Sequence, residues 1–223
     1  MVGGDEDYLN PVAIYLTEDG STVFERCQIG KYERRMFAIG DFLNDKFVLC
    51  GGQGKDRVDK ADCEVIDETE TQTYNMSVNG SRHASSIKLN QSTIWITGGS
   101  DSNSTTLNST EFLTINGSSA GVDFVFTVIG YCMVQYKTDA ILLIGGKQNG
   151  ESNSKKTWII DPTNGFKVTI GPPLKKGRMF HSCGKMKDEY GNSVVIVAGG
   201  DSKDSVEFLN TTVMKEWVEG LQL

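Results

Sequence analysis

The sequence lacks long apolar runs and clusters of basic residues. No segment approaches the roughly 18 to 20 consecutive apolar residues that cross a bilayer, so we predict no membrane span within the 223 residues. The net charge of -7 and the absence of a lysine and arginine cluster argue against binding to nucleic acid. The N-terminal stretch MVGGDEDYLN has neither a basic nor an apolar segment, so we expect no signal peptide in the chain as it stands.

Cysteine and histidine are also scarce. The five cysteines form no CxxC pair and have no short spacing to a histidine, which argues against a zinc site. We interpret them as small buried apolar residues of strands, with disulfide bonds as the alternative. They are Cys27, Cys50, Cys63, Cys132 and Cys183. The two histidines, His83 and His181, are interpreted as strand residues, so we predict no metal site and no cofactor.

Glycine, in contrast, occurs in a regular pattern. An apolar run followed by two glycines occurs five times, with the first glycines at positions 3, 51, 98, 145 and 199. The intervals of 48, 47, 47 and 54 residues indicate a repeat architecture. Since glycine tolerates positive φ and close backbone approach, we interpret each pair as the point where a strand turns out of its sheet.

Each repeat reads as a meander of four strands, which we label a to d. In the second repeat, RMFAIGDFLNDKFVLCGG predicts a hairpin of strands a and b, followed by CEVID as strand c and TYNMSV as strand d. An aromatic residue is predicted to begin or lie in each strand d, with Phe124 the loosest fit, and to pack between neighbouring sheets. These aromatics are Phe24, Tyr74, Phe124, Phe166 and Trp217.

This pattern resembles the kelch repeat family, and the segment 177–217 matches it best. The resemblance implies an all-β, kelch-type β-propeller with complete four-stranded blades at 33–79, 80–126, 127–176 and 177–223 and a partial first blade at 1–32. The fourth repeat departs from the pattern, with Ile129 in place of an arginine. Because an open arc leaves unpaired edges and the family's rings usually close with about six blades, we expect the chain to be a fragment of a larger ring.

The loops of such a meander suggest where it would bind a partner. The b–c loops and d–a connections emerge at one face, which we interpret as the contact surface of a non-catalytic protein-binding module. Arg35, Arg82 and Arg178 recur at the start of strand a on this face, and we predict that they bind a protein or peptide partner with acidic residues. The alternative is that each arginine bonds to backbone or to an acidic residue of the next blade. The glutamates considered are Glu64, Glu111 and Glu207.

Two other functions are weighed. The family resemblance extends to propeller oxidases that hold copper with tyrosines and histidines, but His83 and His181 lie two repeats apart. The chain would also suit the substrate-recognition part of a ubiquitin ligase adaptor, although no oligomerisation domain of that class is seen in it. Fold alone does not decide among these functions.

Asparagine occurs mainly in N-x-[ST] sequons. Seven of the thirteen asparagines begin one, against about two expected by chance from the frequency of serine and threonine. All seven fall at predicted loops or strand ends. The excess favours an extracellular glycoprotein; the alternative is that these are ordinary turn residues of a cytoplasmic protein. The sequons begin at Asn75, Asn79, Asn90, Asn103, Asn108, Asn116 and Asn210.

Overall fold

The computed structural model describes residues 35–54, 56–67, 70–77, 82–201 and 204–220, together with the backbone of two strands nearer the N-terminus. Within this part of the chain all regular elements are β-strands, which confirms the all-β prediction. No helix long and apolar enough to cross a membrane is found among these residues.

The strands are short and follow one another closely. In chain order they are β1 (Ala13–Leu16), β2 (Thr22–Glu25), β3 (Arg35–Met36), β4 (Ile39–Leu43), β5 (Lys46–Cys50), β6 (Gln53–Gly54), β7 (Asp62–Ile66), β8 (Thr71–Asn75), β9 (Ser85–Asn90), β10 (Thr93–Thr97), β11 (Thr110–Thr114), β12 (Gly117–Ala120), β13 (Val128–Ile129), β14 (Cys132–Lys137), β15 (Ala140–Ile144), β16 (Lys147–Gln148), β17 (Thr157–Asp161), β18 (Lys167–Ile170), β19 (Ser182–Lys187), β20 (Ser193–Ala198), β21 (Val206–Asn210) and β22 (Trp217–Glu219).

Most strands belong to four antiparallel four-stranded sheets. Sheet 1 has the order β4-β5-β7-β8, sheet 2 β9-β10-β11-β12, sheet 3 β14-β15-β17-β18 and sheet 4 β19-β20-β21-β22. Each is therefore the predicted meander, with strands a to d in that order. Strands β1 and β2 form a hairpin, and β3 pairs with β6 as β13 does with β16. Apart from β1 and β2, the predicted partial blade at 1–32 lies outside the described residues.

Local sequence explains the hairpins. In sheet 1 the two-residue loop Asn44-Asp45 connects Leu43 to its partner Lys46, and both loop residues have positive φ, at 47° and 65°. This is the geometry of a type I′ turn, whose twist matches that of the flanking strands. Asparagine and aspartate tolerate this backbone conformation better than other non-glycine residues.

Successive sheets pack face to face. Val48 and Val65 of sheet 1 pack with Ile94, Ile96 and Leu113 of sheet 2, and all five are buried. Equivalent apolar cores lie between sheets 2 and 3 and between sheets 3 and 4. The a strands of neighbouring sheets also contact one another, from β4 to β9, β9 to β14 and β14 to β19. This stack of meanders is consistent with a β-propeller-like fold.

Among the described residues, one apolar face of sheet 4 has no further sheet packed on it. Ile196, Phe208 and Val218 lie on the side of sheet 4 away from sheet 3, and Val218 is 59% exposed. Val48 of sheet 1 and Leu142 of sheet 3 occupy the position of Ile196 in strand b. Both are buried, and the following sheet covers each of them. Sheet 4 thus carries the same kind of apolar face as its neighbours without a described sheet upon it.

The double glycines have the predicted architectural role. Both glycines of all four described pairs have positive φ. At Gly52, with φ of 82°, an added Cβ would lie 2.6 Å from the backbone oxygen of Met36, so a side chain has no room there. Gly146 also links two sheets, because its N–H donates to the backbone oxygen of Arg178 at 2.8 Å.

The predicted aromatics contribute to the cores, although two of them lie outside strands. Tyr74 lies in β8 and Trp217 in β22, whereas Phe124 follows the end of β12 and Phe166 lies in the turn before β18 with φ of 58°. All four pack into cores between neighbouring sheets, as predicted. The strand d assignment of Phe124 and Phe166 was wrong because linker and turn residues here also reach the inter-sheet space. The side chain of Phe24 lies outside the description.

Four of the cysteines form two disulfide bonds, so their interpretation as free apolar residues was wrong. Cys50 and Cys63 face each other across β5 and β7 and are bonded within sheet 1. Cys132 and Cys183 join the a strands of sheets 3 and 4, which the stacking brings into contact. Cys27 lies outside the described residues.

Candidate functional site

Arg35 is enclosed in sheet 1 by acceptors of its own repeat. Its Nη2 lies 2.6 Å from a carboxylate oxygen of Asp62 and 2.6 Å from one of Glu64. Its Nη1 donates to the backbone oxygens of Asp62 at 2.9 Å and Gly51 at 3.3 Å. The side chain of Arg35 is fully buried. The guanidinium therefore connects the segment that leads into strand a to the end of strand b and the start of strand c.

Arg178 makes the same connection in sheet 4. Its Nη1 donates to the backbone oxygens of Gly199 and Ser205, each at 3.1 Å. Its Nη2 donates to Glu207 Oε1 at 2.7 Å, and both of these charged side chains are fully buried. The oxygens of Glu207 also accept from the backbone N–H groups of Lys175 and Lys176. Glu207 thus holds the linker that enters sheet 4 as well as the arginine.

Sheet 3 builds this network without an arginine. The Nε2 atom of Gln148 donates to the backbone oxygens of Gly145 at 2.6 Å and Lys156 at 3.3 Å, which correspond to the two carbonyls bound by Arg178. The indole N–H of Trp158, at the position of Glu207, donates to Gln148 Oε1 at 2.8 Å. A neutral amide and indole pair therefore replaces the charged pair at the same place in the repeat.

Arg82 is not equivalent to Arg35. It pairs with Ser100, the residue after the double glycine, as Met36 pairs with Gln53 in sheet 1. The hairpin of β9 and β10 contains a β-bulge, which adds one residue to this hairpin. Because of this extra residue, Arg82 lies 16 residues before its double glycine, as Arg35 does, although it occupies the position of Met36. In sheet 3 the same register places Val128, rather than Ile129, at the position of Arg35.

The side chain of Arg82 accordingly follows a different direction. Its Nε lies 3.2 Å from Asp59 Oδ1, and its Nη2 donates to the backbone oxygen of Asp101 at 3.0 Å. Arg82 therefore bridges sheet 1 to the b–c loop of sheet 2. The structure does not bring the three predicted arginines together as one anion-binding group. Arg35 and Arg178 bond to backbone oxygens and to Glu64 and Glu207, as the alternative supposed, but these partners belong to their own sheets and not to the next one.

A row of side chains that the sequence analysis did not single out lies at the start of the a strands. It consists of Phe37, His83 and Phe180, from sheets 1, 2 and 4, with Gly130 in the place of sheet 3. The ring centroids of Phe37 and His83 are 3.9 Å apart, and those of His83 and Phe180 are 5.2 Å apart. Phe37 is 49% exposed and Phe180 53% exposed. We call these four residues the aromatic row.

Backbone geometry holds the aromatic row in place. Phe37, His83 and Phe180 have φ of 58°, 56° and 55°, an uncommon conformation for bulky side chains. The N–H of Gly130 donates to His83 O at 3.3 Å, and the N–H of Phe180 donates to Gly130 O at 2.7 Å. An added Cβ at Gly130 would lie 2.8 Å from the Phe180 ring. The absence of a side chain at Gly130 therefore lets Phe180 reach across sheet 3 towards His83.

Both histidines lie immediately before an a strand rather than inside it. His83 precedes β9, and burial followed by the nearby charge of Arg82 lowers its pKa. His181 precedes β19, and burial followed by the charge of Arg178 lowers its pKa to about 4. Both rings are therefore neutral at neutral pH. Among the described residues, no group of three or more His, Cys, Asp or Glu side chains could hold a metal ion.

A shallow pocket lies on sheet 3, at the end away from the aromatic row. Its volume is about 340 Å³, and Tyr136, Lys137, Asp139, Asp161 and Lys167 are among its lining residues. Its charges are of both signs, and no histidine, cysteine or serine lines it. It therefore contains no Ser–His or Cys–His pair.

The sequon asparagines differ in their surroundings. Asn75, Asn90, Asn103 and Asn116 are exposed, whereas Asn108 and Asn210 are half-buried. Asn108 donates from Nδ2 to the backbone oxygen of Phe124 at 2.8 Å. Asn79 lies outside the described residues.

Comparison with known proteins gives no assignment. No known protein family matches the sequence, and no curated protein matches it significantly.

Proposed function

We propose that this protein is a non-catalytic protein-binding module whose contact surface lies at the start of the a strands. The observation that carries the proposal is the aromatic row. Two half-exposed phenylalanines beside a neutral histidine, held by strained backbone on a rigid stack of sheets, form a surface of the kind that binding partners contact. Aromatic side chains are enriched among the residues that dominate binding energy at protein interfaces.

The proposed scaffold is a kelch-type β-propeller, with the four sheets as its blades. The repeated meander, the positive φ of the double glycines and the contacts between successive a strands support this assignment. The open face of sheet 4 supports a ring with further blades, because each other apolar face of this kind is covered by the next sheet.

The proposed partner is a protein or peptide that places an apolar side chain on the aromatic row. The prediction of an acidic partner depended on three free guanidiniums at one surface. Since those of Arg35 and Arg178 are buried in ion pairs, a partner could reach them only by breaking the network within each sheet. We therefore propose contact through aromatic rings and loop backbone rather than through arginines.

The test replaces the exposed rings without disturbing their backbone. Glycine tolerates positive φ, so the double variant Phe37→Gly/Phe180→Gly removes both rings without backbone strain, and it creates no new N-x-[ST] sequon. The control is Tyr190→Asn, because Tyr190 is 81% exposed in the a–b turn of sheet 4, at the opposite end of the strands. Partners captured from extracts of the source tissue by the immobilised wild-type protein would be identified and their affinities measured for all three proteins.

The proposal predicts that a specific partner binds the wild-type protein and the Tyr190→Asn variant equally and loses at least about tenfold in affinity for the double variant. Equal unfolding midpoints would show that the three proteins are folded alike. A specific partner that binds the double variant as tightly as the wild-type protein would overturn the aromatic row as the contact surface.

A further inference from the structure

Four sequons present an asparagine to solvent. The side chains of Asn75, Asn90, Asn103 and Asn116 are exposed, and in the described part of the chain none of their Nδ2 atoms donates a hydrogen bond. They lie at the end of β8, at the end of β9, in the b–c loop of sheet 2 and in its c–d turn. A bulky group on any of these nitrogens would extend into solvent without displacing a core residue.

Asn108 provides an internal contrast. It has the same sequon chemistry, but its Nδ2 donates to Phe124 O and connects the start of strand c to the linker that leaves sheet 2. The adjacent linker residue contributes to the core between sheets 2 and 3, since the Phe124 ring is buried there. A glycan on Asn108 would crowd this linker, whereas glycans at the exposed sites would not.

The disulfide bonds are an independent observation that points to the same compartment. Cys50–Cys63 and Cys132–Cys183 account for all of the cysteines in the described residues. Structural disulfides form and persist in the secretory pathway and outside the cell, and are rare in the reducing cytosol. N-linked glycans are added in that same oxidising pathway.

We propose that Asn75, Asn90, Asn103 and Asn116 are N-glycosylation sites, that Asn108 is not, and that the protein matures in the secretory pathway. The donor is an oligosaccharide linked to a lipid diphosphate. A bond forms between Nδ2 and sugar C1, the bond from C1 to the diphosphate oxygen breaks, and Nδ2 loses one proton as the lipid diphosphate leaves. No oxidation or reduction accompanies the transfer.

The pattern also restricts where a partner can dock. All four proposed glycans lie between residues 75 and 116, at sheets 1 and 2, and no sequon begins between 117 and 209. The surfaces of sheet 3 and most of sheet 4 would therefore be free of glycan. A partner on the aromatic row would approach from the side of Phe180 rather than from the glycosylated side.

The test is glycopeptide mass spectrometry of the native protein, with the full chain secreted from cultured eukaryotic cells as the source of variants. A glycosidase that converts each occupied asparagine into aspartate would report occupancy at each sequon. The variant Thr105→Ala removes the acceptor sequence of Asn103 at an exposed position, and Thr105→Ser restores it. We expect most molecules to carry glycans at the four sites and fewer than about one in ten at Asn108.

Thr105→Ala should lose the glycan at Asn103 alone, while Thr105→Ser keeps it. Native protein with unmodified asparagines at the four sites would overturn the proposal, whether its cysteines are oxidised or free. Occupancy at Asn108 equal to that at the exposed sites would overturn the selectivity that we infer from its contact with Phe124.

Discussion

At the residue scale, the ion pair of Arg178 and Glu207 makes the strongest prediction. Arg178→Ala leaves the Glu207 carboxylate buried with only backbone N–H donors, so we expect a loss of about 3–5 kcal/mol in the free energy of unfolding. Urea unfolding at neutral pH measures it. The control is Lys175→Ala, which breaks the solvent-exposed pair with Glu216 and should cost less than about 1 kcal/mol.

If Arg178→Ala costs no more than Lys175→Ala, the arginine is not needed for the fold. The acidic-peptide interpretation of Arg178 would then regain its basis. Because Arg178 is fully enclosed, we expect the difference between the two variants to be clear in a single pair of unfolding curves.

His181 predicts a dependence of stability on pH. Burial and the charge of Arg178 lower its pKa to about 4, while an unfolded histidine has a pKa near 6.5. Below pH 6.5 the unfolded state binds more protons, so this contribution to stability is full above pH 6.5 and is lost as the pH falls towards 4. The loss between pH 7 and pH 5 is on the order of 2 kcal/mol.

The variant His181→Gln isolates this contribution, since glutamine does not titrate. Between pH 7 and pH 5 the free energy of unfolding should fall by more in the wild-type protein than in the variant. Equal losses in the two proteins would show that other groups cause the pH dependence. Burial and the charge of Arg178 both lower the pKa of His181, and a hydrogen bond with the backbone of Ile144 acts in the opposite direction.

The outcome for Arg82 shows the limit of spacing arguments at this scale. Counting back from the double glycines gives the same number for Arg35 and Arg82, yet only Arg35 reaches the strand c carboxylates. One bulged residue in the hairpin of sheet 2 changes the register without changing the count. The glutamates were better predicted, because Glu64 and Glu207 lie at the same place in strand c and meet arginines in both sheets.

At the element scale, the two disulfides should differ in their contribution to stability. Cys50–Cys63 closes a separation of 13 residues and Cys132–Cys183 one of 51. In the chain-entropy description, the longer loop contributes about 1 kcal/mol more. We expect the double variant Cys132→Ala/Cys183→Ala to be less stable than Cys50→Ala/Cys63→Ala by this amount, as measured by thermal unfolding of both with the other bond intact.

A result of opposite sign would mean that the packing of Cys50 and Cys63, both fully buried, outweighs loop entropy. Free-thiol titration of each variant would confirm that only the intended bond is missing.

The strands themselves were largely predictable from the sequence, because alternating residues, turn residues and double glycines are local signals. The meanders and the a–b hairpin at Asn44-Asp45 follow from such signals. The pairing of Cys132 with Cys183 does not, since it depends on which a strands lie side by side after the sheets stack. Strand assignment alone left a disulfide only as an alternative.

At the scale of the whole molecule, the aromatic row could be predicted from the sequence only in part. Phe37, His83 and Phe180 are separated by 46 and 97 residues, but Phe37 and Phe180 each end an Arg-Met-Phe tripeptide, which His83 does not share. Their common property is positive φ just before strand a, which reveals itself only once the sheets are built. The repeated tripeptide was one available signal, and Gly130 was a second, because a glycine at the same point of sheet 3 marks a backbone position that ordinarily favours glycine.

The open face of sheet 4 yields a prediction about the whole chain. Exposed apolar patches of this kind promote self-association, and Met186 and Val218 lie on the open side at 45% and 59% exposure. The double variant Met186→Lys/Val218→Lys should leave the unfolding free energy within about 0.5–1 kcal/mol of wild type, because both positions reach solvent. It should lower light scattering and dye binding at high protein concentration.

Val197 provides the matched contrast, because it lies in the same strand as Ile196 but points into the core between sheets 3 and 4, where it is fully buried. Val197→Lys places an unpaired charge in that core and should unfold sheet 4. If the surface variant were instead as damaging as Val197→Lys, the face of sheet 4 would already be covered in the folded protein, and the support that it gives to further blades would be lost. If the surface variant is as stable as the wild-type protein and associates less, the apolar face is uncovered in the folded protein. The proposal that a further sheet of a ring would pack on this face then keeps its support.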